Sequence, residues 1–380
     1  MPDESVKLRT PIAFVGCGYV ADYYALTLKN HPELELVGVF DKNPDRRKAF
    51  SETFGAYAYS SLDDLLSDDA VTIVVNLTNP QSHYEISKAA LLHDKHVYTE
   101  KPICVEFLKS QELASLASAR GRHLSSAPCT VLSEVAQTVW KMLRKDFVGT
   151  VRLVYAEMDD GLIHQMNVDE WTNVSGAKWP YRNELATGCT FEHAGYWLSW
   201  LLAMFGPAVE VSSFATNIVE EPISGVSASE LAPDFSVACL RFASGVTARL
   251  TCSIVASRDR KLRIFGDRAE IMVSEAWDFG ARVQCRSRPE MDLGGKGFVP
   301  FPLLRRPPEK PAEMPNNIDF CRGISELAEA ICEKRPCRLS ADFGVHIDEI
   351  CEMISSRSNM GSPLVPTTTF EPMEPMDWAK

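Results

Sequence analysis

Pro11-Ile12-Ala13-Phe14-Val15-Gly16-Cys17-Gly18-Tyr19-Val20-Ala21 passes from an apolar run, over two closely spaced glycines, into a further periodic segment. The pattern predicts a strand over 11–16 and a helix over 19–30. Gly16-Cys17-Gly18-Tyr19-Val20-Ala21 fits G-x-G-x-x-A. In such a turn the first glycine allows a sharp reversal, and the second lets the backbone approach a pyrophosphate. Ala21 lets the helix sit close to the sheet, and the helix N-terminus attracts anionic phosphates. Glycines alone end many strands. Here the next strand, 34–40 (LELVGVF), also ends in Asp41, whose carboxylate can accept ribose hydroxyls. Together these features predict a dinucleotide site rather than a plain structural turn.

Asp41 favours NAD, because it would repel the 2′-phosphate of NADP. Lys42, Arg46 and Arg47 follow directly and could bind that phosphate, or could be only the solvated start of a helix. The expected cofactor is NAD, with NADP possible.

Outward from this turn, the first third of the chain alternates short apolar runs with amphipathic stretches, as parallel βαβ units do. Pro44–Phe54 reads as a helix, Ala56–Tyr59 as a short third strand, and Ser61 as the cap of a helix LDDLLS. A continuous apolar strand at 71–77, a helix at 83–93 and a strand at 96–99 follow. Continuous apolar strands indicate a sheet covered on both faces. Beyond about residue 150, TVRLVYAEM, DFSVACLRF, GVTARLTCSIV, KLRIFG and AEIMV predict a mostly antiparallel sheet. One apolar helix, 191–206, interrupts it and ends at Gly206-Pro207. Residues 286–317, rich in Pro, Gly and Arg, read as a surface loop, and helices at about 317–334 and 341–357 close the chain. The fold expected is α/β: a doubly wound parallel Rossmann sheet in residues 1–127, then an α+β domain with a large antiparallel sheet in 128–380.

The 380 residues carry a formal charge of −12, which argues against the phosphate attraction that nucleic-acid binders need. No apolar run reaches the ~18 residues of a membrane-spanning helix. The polar start MPDESVKLRT leads straight into a strand, so no signal peptide is expected. Eleven cysteines, an odd number with no C-x-x-C pair, suggest reduced and mostly buried thiols in a cytoplasmic protein, with neither a disulfide ladder nor a metal site.

With Glu100-Lys101-Pro102 after the strand HVYT, the sequence resembles the glucose-fructose oxidoreductase/inositol dehydrogenase (Gfo/Idh/MocA) family. The resemblance rests on the Gly16–Ala21 fingerprint, Asp41, Thr78-Asn79-Pro80 with His83, and the E-K-P motif. Later matches carry it over roughly residues 10–357: the helix at 188–206, DFSVACLRFASGVTARL, KLRIFGDRAEIMV and the closing helices. It implies that Gly16–Ala21, Asp41, Lys42, Arg46, Thr78, Asn79, Pro80, His83 and Glu100 surround the cofactor. It further implies that Lys101 lies beside the nicotinamide and the substrate hydroxyl, followed by a cis proline. From residues alone, a lysine at the C-terminal end of a doubly wound sheet lies where ligands bind.

The family's second catalytic element is an aspartate and a histidine four residues apart on the first large helix of the substrate domain. Counted back from Gly206, those positions hold Glu192 and Tyr196, on one helix face. Some relatives have tyrosine there, and Tyr196 can exchange a proton with a substrate oxygen. His193, the better acid–base near neutrality, competes for that role, although the register favours Tyr196. Trp171, Trp179, Tyr181 and Arg182 precede the helix, and Trp179 and Arg182 are expected to touch substrate.

The resemblance implies hydride transfer between a nicotinamide and a hydroxyl or keto carbon of a sugar, nucleotide-sugar or cyclitol. Two other readings remain at this stage: an NAD-using glycosidase of the same fold, and a non-catalytic dinucleotide-sensing regulator. A substrate-domain sheet with one uncovered face would favour a homodimer or homotetramer.

Overall fold

The computed structural model describes residues 9–222, 226–228, 231–287, 297–356 and 362–380. Its first sheet is parallel, in the order β2-β1-β3-β4-β5. The strands are β1 (Thr10–Val15), β2 (Leu34–Phe40), β3 (Ile73–Asn76), β4 (His96–Thr99) and β5 (Leu124–Ser126). The helices packed around them are α1 (Ala21–Thr27), α2 (Pro44–Phe54), α3 (Leu62–Ser67), α4 (His83–Leu92) and α5 (Phe107–Ala119). Because β2 and β3 lie on opposite sides of β1, the chain diverges at the C-terminal end of β1. That switch point is where ligands bind in open α/β sheets.

Local chemistry explains these elements. The Asn43 side chain accepts from the backbone N–H groups of Asp45 (2.9 Å) and Arg46 (3.3 Å), starting α2 with Pro44 in its first turn. The Ser61 hydroxyl accepts from the Asp64 N–H at 3.0 Å, as expected for a cap of α3. Two details differ from the sequence reading. The α-helix begun at Ala21 ends at Thr27, and Leu28–Asn30 tighten into a 3₁₀ turn. Ala56–Tyr59 makes only a single bridge, Ala58 to Val39, at the sheet edge. That segment is too short for a ladder, and Tyr57 turns to solvent.

The second sheet has eight strands in the order β13-β12-β11-β10-β6-β9-β8-β7. They are β6 (Val151–Asp159), β7 (Ala208–Thr216), β8 (Phe235–Phe242), β9 (Thr247–Ser253), β10 (Leu262–Gly266), β11 (Ala269–Val273), β12 (Val283–Ser287) and β13 (Val299–Phe301). Only β6 and β9 pair in parallel. The stretch read as one loop, 286–317, therefore contains the edge strand β13, and its residues 288–296 lie outside the described residues. Val154, Ala156 and Met158 of β6 are buried with Trp197, Leu198 and Leu201 of α7 (Tyr181–Phe205). On the opposite face Leu153, Tyr155 and Phe265 stay partly exposed, with Arg249 over the Tyr155 ring at 4.2 Å.

Between the sheets lie α6 (Glu134–Arg144), α8 (Arg322–Glu333) and α9 (Ala341–Ser355). Helix α8 touches β4 and β5, and α9 packs on both α5 and α7. Asp348 of α9 is buried and accepts from the Cys104 N–H (3.2 Å) and the Ser110 hydroxyl (2.7 Å), joining the two halves. Burial pushes its carboxyl up to about 7, against the pull of those donors. The folded state therefore holds a proton that the unfolded chain releases near the ordinary value of 3.8. Stability from this group is present at acid pH and is lost as pH rises from there to about 7. Compared with Asp348→Asn in thermal melts, the wild type should lose up to about 1.4 kcal/mol per pH unit across that window and level off above it. A constant gap between the two proteins would show that Asp348 does not titrate this way.

Candidate active site

The C-terminal ends of β1, β3 and β4 open into a cleft of about 1200 Å³, walled on its far side by α7 and the second sheet. Gly16 adopts φ +102°, and a Cβ there would fall 2.7 Å from the carbonyl group of Leu77. Only glycine lets the β1 and β3 loops come this close. A Cβ on Gly18, in contrast, meets no protein atom within 4 Å, and Gly18 lines the cleft. That open space at the mouth of α1 fits a pyrophosphate.

Asp41 is held in place by two backbone donors, the Cys17 N–H (2.8 Å) and the Asn43 N–H (2.7 Å). Each carboxylate oxygen keeps a lone pair for a ribose hydroxyl. Tyr19, Val20, Lys42, Arg46, Thr78, Asn79, Pro80, His83 and Glu100 line the same cleft. The Cys17 and Ala21 side chains instead turn into the core. Lys42 and Arg46 are exposed and make no ion pair among the described residues. Arg47 is turned away, toward the Asp41 and Ser60 carbonyls and the Phe40 ring. The ring nitrogens of His83 lie 2.9 Å from the Thr78 carbonyl and 2.7 Å from the Pro102 carbonyl, and burial holds the imidazole below its ordinary value, so its single N–H donates to one of the two. Glu100 accepts from the Tyr24 hydroxyl (2.7 Å) and the Lys101 N–H (3.0 Å), which orients the E-K-P turn. The Lys101–Pro102 peptide is cis.

Lys101 projects across the cleft to an ion pair with Glu192 of α7. Burial works to neutralise the ammonium, but the Glu192 charge, with a smaller contribution from Glu100, outweighs it and holds the lysine above its ordinary value. Burial likewise opposes the Glu192 charge, yet Lys101 keeps that carboxyl low. Tyr196 faces the same cleft, and burial pushes its phenol up against the opposing pull of Lys101. His193 also lines the cleft, but it turns to Asp160, with Nε2 3.7 Å from the carboxylate. Burial holds its imidazole below the ordinary value, and its Nδ1 is buried without a partner.

Several residues here were invisible to sequence reading. The guanidinium of Arg260 lies 3.7 Å from the Trp277 ring centre and pairs with Asp160 (3.0 Å) and Glu275 (3.2 Å). Trp277 in turn packs on Tyr196 and His193, with ring centres 5.3 and 5.7 Å apart. Glu184 reaches the cleft because α7 kinks at Gly188 (φ +86°), where a Cβ would strike Ala232 at 2.5 Å. Lys310, Asn316 and Asn317, from the stretch read as a surface loop, also line the wall. Arg182 departs from expectation: it is exposed, lies over its neighbour Tyr181, and does not line the cleft, because the first turn of α7 points it outward. Trp171 and Trp179 do line it, with ring centres 5.1 Å apart.

The segment carrying these tryptophans clasps the glycine turn. Asn173 donates to the carbonyls of Gly18 (3.3 Å) and Tyr19 (3.0 Å), while Ser175 donates twice to Asp22, at 2.6 and 2.8 Å.

A Rossmann sheet with a glycine turn and a buried lysine–carboxylate pair at its switch point defines a dinucleotide-dependent oxidoreductase. Residues 10–127 match the oxidoreductase family's NAD-binding Rossmann-fold domain and residues 136–272 its C-terminal domain, so the chain belongs to the Gfo/Idh/MocA family. It is an NAD(P)-dependent dehydrogenase with an NAD-binding Rossmann domain. It is 24% identical to an uncharacterised oxidoreductase of Synechocystis over 69% of this chain and 71% of the relative. It is 22% identical to mouse trans-1,2-dihydrobenzene-1,2-diol dehydrogenase over 69% of this chain and 74% of that one. The crystal structure of aldose-aldose oxidoreductase from Caulobacter crescentus superposes with a TM-score of 0.75 at 20% identity, covering 94% of this chain and all of that one. No helix among the described residues is long and apolar enough to cross a membrane.

Gly18→Val should lower NAD(H) affinity at least ~100-fold, because the side chain would occupy the pyrophosphate's space. The melting temperature should stay close to wild type, as no protein atom is displaced. Cofactor fluorescence titration reads the first effect. Unchanged affinity in the folded variant would place the dinucleotide elsewhere.

Proposed function

We propose that this protein catalyses reversible hydride transfer between a nicotinamide and a hydroxyl or keto carbon of a sugar, nucleotide-sugar or cyclitol. In this reading residues 1–127 bind the dinucleotide and 128–380 supply the substrate wall. The observation that carries it is the Lys101–Glu192 pair, buried beside Tyr196 in the cleft that begins at the glycine turn. A bound nicotinamide supplies the hydride acceptor or donor.

The chain's own residues handle position and protons. Lys101, held cationic by Glu192, donates to the substrate oxygen and favours the alkoxide character that develops there. Tyr196, held protonated by burial, gives its proton to that oxygen during reduction and recovers it during oxidation. Glu192 fixes the lysine and can accept a neighbouring hydroxyl. Trp171, Trp179 and Trp277 offer flat apolar faces, and Asp160, Asn183 and Asn317 add polar groups to the same lining. Such a wall suits a polyhydroxylated ring, the substrate type named for the aldose-aldose oxidoreductase. The partly apolar open face of the second sheet supports pairing, and we read the protein as a cytoplasmic homodimer or homotetramer.

Asp41 faces the ribose position and favours NAD, whereas the exposed Lys42 and Arg46 lie close enough to the cleft to compete for a 2′-phosphate. NAD(H) should bind more tightly than NADP(H) in fluorescence titrations. Tenfold tighter NADP(H) binding would show that the two cations dominate.

A thermal-shift screen of sugars and cyclitols with NAD, followed by reduced-nicotinamide absorbance, tests the reaction itself. With the substrate so found, Lys101→Ala should lower kcat by at least ~100-fold with cofactor binding retained. Tyr196→Phe should cost a similar factor with little change in KM, and His193→Gln should cost less. The reverse ranking of Tyr196 and His193 would move the acid–base role to the histidine.

A further inference from the structure

Glu184 has no role in the chemistry above, although it lines the cleft alongside Glu192 on the same helix. On an unbroken helix, residues eight apart point about 80° away from each other. The break at Gly188 removes that constraint and turns both side chains onto the cleft beside Lys101, where each acts on the other's charge. Glu192 uses Oε2 for Lys101, while its Oε1 is buried and receives no donor if both acids are ionised. Two carboxylates in one cleft, Glu192 buried and Glu184 half-buried, facing a single ammonium would leave one charge uncompensated. A proton on Glu184 resolves both problems: it supplies the missing donor to Oε1 and leaves one anion for one cation.

We propose that Glu184 is a positioning residue, a neutral carboxylic acid that donates a hydrogen bond to Oε1 of Glu192 and so fixes the Glu192 carboxylate on Lys101. The inference rests on the reading of Lys101 and Glu192 as the proton-handling pair. Glu192 and Tyr196 face the acid from α7, Glu100 and Lys101 face it from the turn after β4, and Lys178 lines the cleft from the clasping segment. Burial is the largest influence on Glu184 and raises it; the Glu192 charge adds to this, and Lys101 opposes it. The result is an acid held toward its neutral form while Glu192 is held toward its ionised form.

The acid is visible without any substrate. Infrared spectra of the wild-type protein at neutral pH should contain a protonated-carboxyl C=O band that disappears in Glu184→Gln. Asp348, also raised, is unchanged by this substitution and cancels in the difference spectrum. Glu192→Gln removes the accepting anion and frees Lys101 to pair with Glu184, so the same band should disappear there as well. No band lost in Glu184→Gln would overturn the proposal. So would a band that persists in Glu192→Gln, because burial alone would then hold the proton. Titration of the band in the wild-type minus Glu184→Gln difference spectrum, from which Asp348 cancels, gives a further test: its loss only at alkaline pH supports the proposal, and its loss below neutrality overturns it.

Kinetics with the substrate from the screen add a second readout. Glu184→Gln keeps an N–H donor and should retain kcat within about threefold, whereas Glu184→Leu should lose at least ~10-fold in kcat with KM little changed. Equal losses in the two variants would mean that a transferable proton, rather than a donor, is required at this position. If the infrared result holds while Lys101→Ala remains active, the functional reading of the cleft fails and the acid pair stands.

Discussion

Lys101 sits on the first sheet, and the carboxylate that keeps it charged sits on a helix of the second. An ammonium taken out of water is costly unless a partner meets it, and breaking such a pair leaves an uncompensated buried charge. The site therefore requires both halves of the chain in one arrangement. The surrounding structure enforces that arrangement. Glu100 and Tyr24 orient the turn that carries the lysine, and His83 lies between that turn and the β3 loop. On the other side, α7 is anchored by two almost fully buried tryptophans, Trp197, which donates to the Glu157 carbonyl of β6, and Trp200, which donates to the Thr130 hydroxyl.

The same dependence recurs away from the chemistry. His31, at the end of the first helical turn region, meets Asp319 at 3.0 Å, and Arg322 joins Asp319 to Glu134. Glu134 also receives Arg305 from the chain that runs back toward the cleft. These buried charges come from distant parts of the chain, so each is satisfied only when the whole tertiary structure is formed. The clasp of Asn173 and Ser175 on the glycine turn has the same character. It ties the glycine turn and the first turn of α1 to the segment that carries Trp171 and Trp179.

Within the wall, charge and aromatic surface are balanced. Arg260 is nearly neutralised by Asp160 and Glu275, and its flat face lies on Trp277. This arrangement explains how His193 and Tyr196 come to differ. The histidine is drawn toward Asp160 and the second sheet, whereas the tyrosine remains under the influence of Lys101.

The sequence by itself determined the parallel sheet, the glycine turn and the place of Asp41 at the end of β2, whereas Lys101, Glu192 and Tyr196 were singled out through the family resemblance. The first three are short-range features: strand periodicity and a turn that only glycine permits. The brief pairing at Ala58 and the edge strand Val299–Phe301 were misread or missed, because pairing at a sheet edge depends on neighbours rather than on local pattern. Only the tertiary structure decided that Arg182 points to solvent, that Asp160, Arg260, Glu275 and Trp277 share one wall, and that Glu184 lines the cleft alongside Glu192. Each depends on a contact between residues whose sequence spacing carries no signal, or on a kink whose direction is set by the close packing of Gly188 against Ala232.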